Sequence, residues 1–201
     1  MGKEKIGPAK NFESKKEDNW EFKIEQEVHL KNFYRAFYQF LEDKDYFDIW
    51  GGERYETFYD EKFHPNGSRE YRIRWRAYNK TSNSNVMQKF VINWLVLGCN
   101  DKQKVIDGKK IKIQKAEVEI KCDSYMLVNK DMLKKSRLIN QFSNLFFNRW
   151  FHYLYEGYKD EMKKRSKDME EFLKSQMNMN TYTNQSSEFH RVQGFKDPHS
   201  T

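Results

Sequence analysis

The sequence has little of what defines several common classes of protein. It contains only two cysteines and three prolines among 201 residues. Its longest apolar run, VINWLVLG, is far too short to span a membrane. The N-terminal segment MGKEKIGPAKNFESKKEDN is charged and has no apolar stretch, so we expect no signal peptide. Cys99 and Cys122 form no CxxC pair, and we expect them to be reduced and buried in a cytoplasmic protein.

Motifs for catalysis, nucleotide binding and metal binding are also missing. The chain has no GxSxG motif, and Gly51-Gly52 is not followed by the Lys and Ser/Thr of a phosphate-binding loop. Its five histidines are scattered, without HxxxH, HExxH or HxH spacing. The sequence therefore predicts no enzyme, no cofactor and no metal site, and it favours a protein that binds a partner.

Aromatic residues and an uneven distribution of charge are what the chain has in quantity. Aromatics make up 16% of the residues, enough to supply much of the core. The formal net charge is +7. Residues 19–61 contain five basic and eleven acidic residues, whereas residues 62–121 contain fourteen basic and five acidic ones. A strongly basic middle region indicates an anionic partner.

The apolar spacing predicts an N-terminal helix. In KIEQEVHLKNFYRAFYQFLEDKDY, apolar residues recur at the helical spacing i, i+3, i+4, i+7 and i+11. The breaker Gly51-Gly52 follows this segment. The stripe consists of Leu30, Phe33, Tyr34, Phe37 and Leu41.

The segment ERYETFYDEKFHPNGSREYRIRWRAYNK predicts a β-hairpin that turns at Asn66-Gly67. A two-residue turn places Phe58 opposite Trp75, on the face that covers the core. The same register places Tyr59 opposite Arg74. The other face would then hold Tyr55, Tyr59, Tyr78 and the three arginines Arg72, Arg74 and Arg76.

The rest of the chain predicts two more strands and a long helix. VMQKFVINWLVLG is typical of a central strand, and a second hairpin is expected around Asp107-Gly108, giving an antiparallel sheet of four to five strands. A helical stripe runs from about Lys134 towards Lys174 and thins after Tyr158. We therefore expect a flexible tail over 1–19, one α+β domain over 20–160, a projecting helix extension over 161–178 and a disordered tail over 179–201.

The order of these elements resembles a group of uncharacterised small archaeal proteins. The resemblance lies in REYRIRWRAY, in VIDGKKIKI and in the start of the last helix, and it covers roughly residues 25–160. It implies a layout of an N-terminal helix, an antiparallel sheet and a long C-terminal helix. It implies no activity.

The alternating arginines of REYRIRWRAY carry the main functional hypothesis. Arginine suits phosphate groups, and tyrosines on the same face offer platforms on which bases stack. We expect a non-catalytic cytoplasmic protein that associates with RNA or with a ribonucleoprotein such as the ribosome. The expected contact residues, which include the tip of the second hairpin, are Arg72, Arg74, Arg76, Tyr59, Tyr78, Lys109, Lys110 and Lys112.

Three alternatives stay open at this point. The arginines could be the solvated face of a strand, or they could lie beneath the terminal helix. The protein could instead be a scaffold that binds a protein partner through the helix 159–177, which carries apolar residues among charges. Finally, the aromatic interior could hold a small hydrophobic ligand between the sheet and a helix, as in a carrier protein.

Overall fold

The structure is a computed structural model that describes residues 12–181 except 84, 107–108 and 130–151. Five strands form one antiparallel sheet: β1 (Phe12–Val28), β2 (Glu56–Phe63), β3 (Arg69–Lys80), β4 (Val86–Ile106) and β5 (Lys109–Asn129). Their order across the sheet is β1-β5-β4-β3-β2. The described residues also form two helices, α1 (Leu30–Asp43) and α2 (His152–Thr181). The predicted α+β class and its antiparallel sheet are confirmed.

The strand β1 precedes the helix that we predicted to be N-terminal. Residues 20–28 alternate apolar and charged side chains, which is the period of a strand with one buried face. β1 pairs with β5 from Phe12 to Val28. The predicted flexible tail over 1–19 is therefore wrong for residues 12–19, because their backbone groups are paired in the sheet.

The helix α1 follows β1 and buries the predicted stripe. Its side chains Phe33, Phe37 and Leu41 have 2% or less of their surface exposed. The imidazole Nδ1 of His29 accepts a hydrogen bond from the Asn32 N–H over 3.3 Å and caps the start of the helix. Helix and strand thus meet at a single capping residue.

The loop between β2 and β3 is one residue longer than we predicted. The N–H of His64 donates to the carbonyl of Ser68 over 2.9 Å, so residues 65–67 form a three-residue loop. Gly67 has a φ of 80°, the left-handed conformation that such a loop needs at its last position. The Asn-Gly pair is compatible with both loop lengths, and the longer one occurs.

This turn moves the register of β2 by one residue. Phe58 lies opposite Arg74, and Tyr59 lies opposite Ile73. The predicted pairing of Phe58 with Trp75 is wrong, and the two faces of β2 are exchanged. The faces of β3 are as predicted, since Trp75 is fully buried.

The long strands β4 and β5 pair along their length and form the predicted second hairpin; its turn lies outside the described residues. The register shifts between Leu97 and Asn100, where Gly98 adopts a φ of 58°. Such a bulge adds twist to the sheet. Beyond it, the hairpin continues past the start of α1.

Both helices pack on the same face of the sheet, which we call the inner face. Phe172 of α2 stacks on Phe40 of α1, with ring centroids 4.4 Å apart. The hydroxyls of Ser166 in α2 and Ser124 in β5 are buried and lie 3.1 Å apart. The opposite, outer face carries the three arginines of β3.

The distal half of α2 does not project from the domain as we predicted. Met162, Met169 and Leu173 are fully buried, and Met177 is 2% exposed. These residues form one stripe that packs on β1, β5 and α1. The predicted extension over 161–178 is therefore part of the core. Residues 182–201 of the predicted disordered tail lie outside the described residues.

Two further features of the fold are the state of the cysteines and the polarity of the helices. Cys99 and Cys122 are buried and not bonded to each other, and burial raises the pKa of both thiols. Neither helix, within the part of the chain that the structure describes, is long and apolar enough to cross a membrane.

Candidate functional site

The arginine side chains of β3 lie on the outer face and are exposed. Arg72, Arg74 and Arg76 alternate with buried residues of β3, as the strand period requires. Neither helix covers them in the described structure. The alternative in which the arginines lie beneath the terminal helix is therefore wrong for residues 152–181; residues 134–151 of the predicted helix lie outside the described residues.

Two of these arginines already have partners within the sheet. The Nε of Arg72 donates to Glu70 over 2.7 Å, and the Nε of Arg74 donates to the side-chain oxygen of Asn93 over 2.8 Å. Burial lowers the pKa of Lys89, and the positive charge of Arg76 lowers it further. The strip of β3 and β4 around Arg76 therefore holds two positive charges close together, those of Arg76 and Lys89.

Several of the predicted contact residues are not on this strip. Tyr59 lies on the inner side because of the changed register. Tyr78 is only 3% exposed, because it packs in a small cluster with Met87 and Leu127. Neither tyrosine can offer a stacking platform next to the arginines, so this part of the hypothesis is wrong. The exposed aromatic that lies beside Arg74 is Phe58.

The lysines at the second hairpin also lie elsewhere. Lys112 contacts Asp101 over 3.1 Å on the inner side of the sheet, away from the arginines. Lys110 lies two residues along the same strand and is exposed. The side chain of Lys109 is outside the described residues. Lys112 therefore does not extend the basic strip of the outer face.

The other half of the outer face is neutralised by ion pairs between β1 and β5. Lys23 contacts Glu117 over 2.7 Å, and Lys121 contacts Glu21 over 3.3 Å. The acidic first part of the chain thus lies beside the basic middle part. Much of the charge division that we assigned to an external partner is satisfied within the sheet.

An open cleft lies on the inner side, where the sheet extends beyond the first turns of α1. We call it the α1 cleft; its volume is about 990 Å³. The edge strand β2 forms one wall, the start of α1 another, and the end of the β4–β5 hairpin closes the far side. The cleft exists because β4 and β5 have 21 residues each, whereas α1 has 14.

Seven of the sixteen residues that line the α1 cleft are aromatic or aliphatic, and the other nine are polar or charged. The hydroxyl of Tyr34 accepts a hydrogen bond from the indole N–H of Trp75 over 3.1 Å and donates to Glu56. Burial raises the pKa of Tyr34, and Glu56 adds to that shift. The aromatic and aliphatic lining comprises Leu30, Tyr34, Tyr59, Tyr71, Ile73, Trp94 and Val96.

Trp94 forms part of the floor of the cleft and is 3% exposed. Its indole N–H has no hydrogen-bond partner among the described residues. A buried donor that lacks an acceptor costs about 1–3 kcal/mol. The floor therefore carries a polar group whose bonding the described protein does not satisfy.

An ionic network closes one end of the cleft around Asp101. Arg69 contacts this carboxylate over 2.6 Å, Lys112 over 3.1 Å, and the amide of Gln114 donates to it over 3.1 Å. The hydrogen bond from Gln114, together with the two cations, holds the pKa of Asp101 below its usual value despite partial burial. The guanidinium of Arg69 also lies over the ring of Tyr71, 5.9 Å from its centroid.

No family model matches the chain, and no curated protein matches it. The resemblance to small archaeal proteins therefore stays a prediction. Within the described residues, no group of three or more His, Cys, Asp and Glu side chains is arranged to hold a metal ion.

Sequence reasoning assigned the cleft residues to the core. Tyr34 belongs to the helical stripe, and Tyr71 and Trp94 belong to the inward faces of their strands, which is the usual signature of buried residues. The cleft depends on where α1 begins relative to two long strands. The only signal for it was the excess of aromatics, from which we considered a small-ligand carrier.

Proposed function

We propose that this protein is a non-catalytic binding protein that holds a small, largely apolar ligand in the α1 cleft. The observation that carries the proposal is a concave cleft of about 990 Å³ whose exposed lining is more apolar than polar and includes four aromatic side chains. Ligand sites in proteins are concave, have volumes of roughly 300–1,000 Å³, and combine apolar walls with few polar groups. The α1 cleft fits that description in its volume and its apolar area, and it carries more polar side chains than such sites usually do.

The walls of the cleft favour a flat, unsaturated ligand. Tyr59 and Tyr71 lie next to each other with ring centroids 6.3 Å apart and their planes inclined at 54°. Tyr34 is held in place by its contacts with Trp75 and Glu56. Rings that are fixed in position lose little conformational entropy when they contact a ligand. A planar ligand could therefore lie against these rings without much rearrangement.

The test uses N-phenyl-1-naphthylamine, a neutral aromatic probe whose fluorescence rises in apolar surroundings. Wild type should bind it in a saturable manner. Leu30→Trp places a large side chain at the mouth of the cleft and should weaken binding at least about tenfold, since it occupies the space of the ligand.

Leu95→Trp is the matched control, because Leu95 is also half-buried but lies on the outer face. This variant should bind the probe as wild type does. Equal binding by both variants, or no binding by wild type, would refute the proposal.

The second candidate function is the binding of single-stranded RNA or a ribonucleoprotein on the outer face. The observation in its favour is that Arg72, Arg74 and Arg76 are all exposed side by side. Phe58, half exposed beside Arg74, takes the stacking role that we first gave to two tyrosines.

The residues on which the protein-scaffold alternative depended are buried within the domain. Met162, Met169 and Leu173 were to contact a protein partner, and they are fully buried. Their apolar surface is used within the domain, so the described part of α2 offers a partner mainly its charged face.

A further inference from the structure

We infer that the ligand of the α1 cleft carries an acidic group, a carboxylate or similar anion, and that this group lies at the end where Arg69 and Lys112 meet. The inference rests on the proposed function and adds the chemical class of the ligand. It excludes amines and purely neutral hydrocarbons as the preferred ligands.

The first argument is the balance of charge on the walls. Lys31, Arg35, Arg69 and Lys112 line the cleft, whereas its only acidic lining residues among those described are two carboxylates. The four cations outnumber the two carboxylates of the lining, and an excess of one positive charge is left when Glu61, which contacts Arg69 over 4.0 Å, is counted as well. A ligand anion would reduce that excess, whereas an ammonium group would increase it.

The second argument is that both carboxylates of the lining are already engaged. Glu56 accepts the hydroxyl proton of Tyr34. Asp101 accepts from Arg69, Lys112 and Gln114. A cationic ligand would therefore compete with donors that these two carboxylates already hold.

The third argument is that donors still have capacity for an acceptor. The ammonium group of Lys112 has three N–H bonds and its side chain is 65% exposed, so it can contact Asp101 and a ligand together. Acidic groups offer acceptor oxygens only, which suits such a site.

The two ends of the cleft then fix the orientation of the ligand. The basic residues Arg69 and Lys112 lie near the end of the β4–β5 hairpin, and the ring pair Tyr59 and Tyr71 lies on the β2 side. An aromatic acid would place its ring between the tyrosines and α1 and its carboxylate towards β5. Charge-assisted hydrogen bonds of this kind are about twice as strong as neutral ones.

The test compares three probes of one shape by calorimetry at pH 7: 2-naphthoate, 2-naphthylmethanol and 2-naphthylmethylammonium. The carboxylate should bind about tenfold more tightly than the alcohol, the factor expected of one charged hydrogen bond. The ammonium should bind more weakly than the alcohol. Salt should reduce the advantage of the carboxylate, because exposed charges are screened.

Variants locate the acidic group. Arg35→Gln with Lys112→Gln should abolish the advantage of 2-naphthoate and leave the affinity for 2-naphthylmethanol within about twofold, since the apolar walls are unchanged. The control is Arg72→Gln with Arg76→Gln, which removes the same charge from the outer face and should preserve the advantage. Melting curves of both double variants check that they fold.

Each outcome bears on one of the two proposals. If 2-naphthylmethanol binds and 2-naphthoate binds no better, the cleft is a ligand site and the acidic class is wrong. The same conclusion follows if both double variants lose the advantage equally, because long-range charge would then explain it. If none of the probes binds, the proposed function itself fails.

Discussion

The two ends of the inner face differ in how completely side chains fill the space next to the sheet. At the end that α2 covers, Met162, Met169 and Leu173 expose no surface, and Phe172 stacks on a ring of α1. At the end that the first turns of α1 cover, aromatic side chains line a cleft of about 990 Å³. The same face of the same sheet is thus a packed core at one end and a concave surface at the other.

This difference separates stability from binding within one domain. Filled space contributes dispersion contacts and buried apolar area, so changes there cost stability. Residues around an open cleft have fewer neighbours to lose, and changes there should affect ligands more than folding. The comparison therefore predicts large effects on unfolding at the α2 end and small ones elsewhere.

Removal of α2 after Tyr158 should have the largest effect. The cut removes four side chains that are at least 98% buried and exposes the strand faces beneath them. At roughly 1.5–3 kcal/mol for each buried side chain, the loss is comparable with the whole stability of a typical domain, about 5–15 kcal/mol. The truncated chain should show no cooperative melting transition by circular dichroism.

A point variant makes this prediction quantitative. Leu173→Ala should destabilise the domain by about 2–5 kcal/mol, the usual cost for a buried leucine. Lys167→Ala, on the exposed side of the same helix, should melt within about 2 °C of wild type. If Leu173→Ala melts like Lys167→Ala, the helix is not part of the core.

A smaller effect on stability is expected from replacing Glu17, whose carboxylate contacts side chains of α2 and so links the helix to the sheet. The register of β1 shifts between Lys16 and Asp18, so Glu17 sits in a bulge. Its carboxylate accepts from Tyr155 over 2.6 Å and contacts Lys159 over 3.3 Å. Burial raises its pKa, but hydrogen bonds from Lys15 and these two α2 residues outweigh burial and lower the pKa to about 2.

The pH dependence follows from this shift. Because the pKa is lower in the folded state than its ordinary value of 4.5, the unfolded chain takes up the proton first as the pH falls. The stabilisation by Glu17 is therefore complete above pH 4.5 and is lost between 4.5 and about 2. Glu17→Gln should cost about 1–3 kcal/mol at pH 7, and the difference from wild type should vanish towards pH 2 in urea titrations.

Glu25→Gln is the control on the same strand. Glu25 is 63% exposed and contacts Lys115 over 3.4 Å, and exposed pairs contribute only about 0–1 kcal/mol. A cost at Glu17 no greater than at Glu25 would show that the bulge does not fasten the helix.

The sequence predicted the helices and strands better than it predicted how the strands pair with one another. Trp75 and the α1 stripe follow from local periods of two and 3.6 residues, and Trp75 and three residues of the stripe, Phe33, Phe37 and Leu41, are buried as expected. β1 has the same two-residue period. The helical stripe begins at Leu30, and the predicted helical segment was extended back from it to include the last residues of β1. The register of Phe58 failed because one added turn residue exchanges both faces of a strand.

The candidate site depended on contacts distant in sequence, and local patterns do not contain these. Asp101 and Arg69 meet only because β3 and β4 pair beyond the bulge at Gly98. The uneven distribution of charge was visible in the sequence, but the pairing of opposite charges within the sheet was not. Acidic residues of β1 such as Glu21 lie beside basic residues of β5 such as Lys121, so part of the signal for an external anion came from internal pairing.

The smallest effect on stability is expected on the outer face, where RNA binding is tested. Replacement of Arg72, Arg74 and Arg76 together with Gln should shift the melting temperature by less than about 3 °C, because all three are exposed. If they hold phosphates of an oligouridine, the slope of log affinity against log salt should flatten by about two, at ~0.7 per contact. Phe58→Ala should cost about 1–3 kcal/mol of affinity if a base stacks there.

The control is the triple Gln variant of Lys163, Lys164 and Lys167, exposed on α2, which removes equal charge and should leave the slope unchanged. If both triple variants flatten the slope equally, the attraction is general to the positive net charge. The arginines are then only the solvated side of a strand.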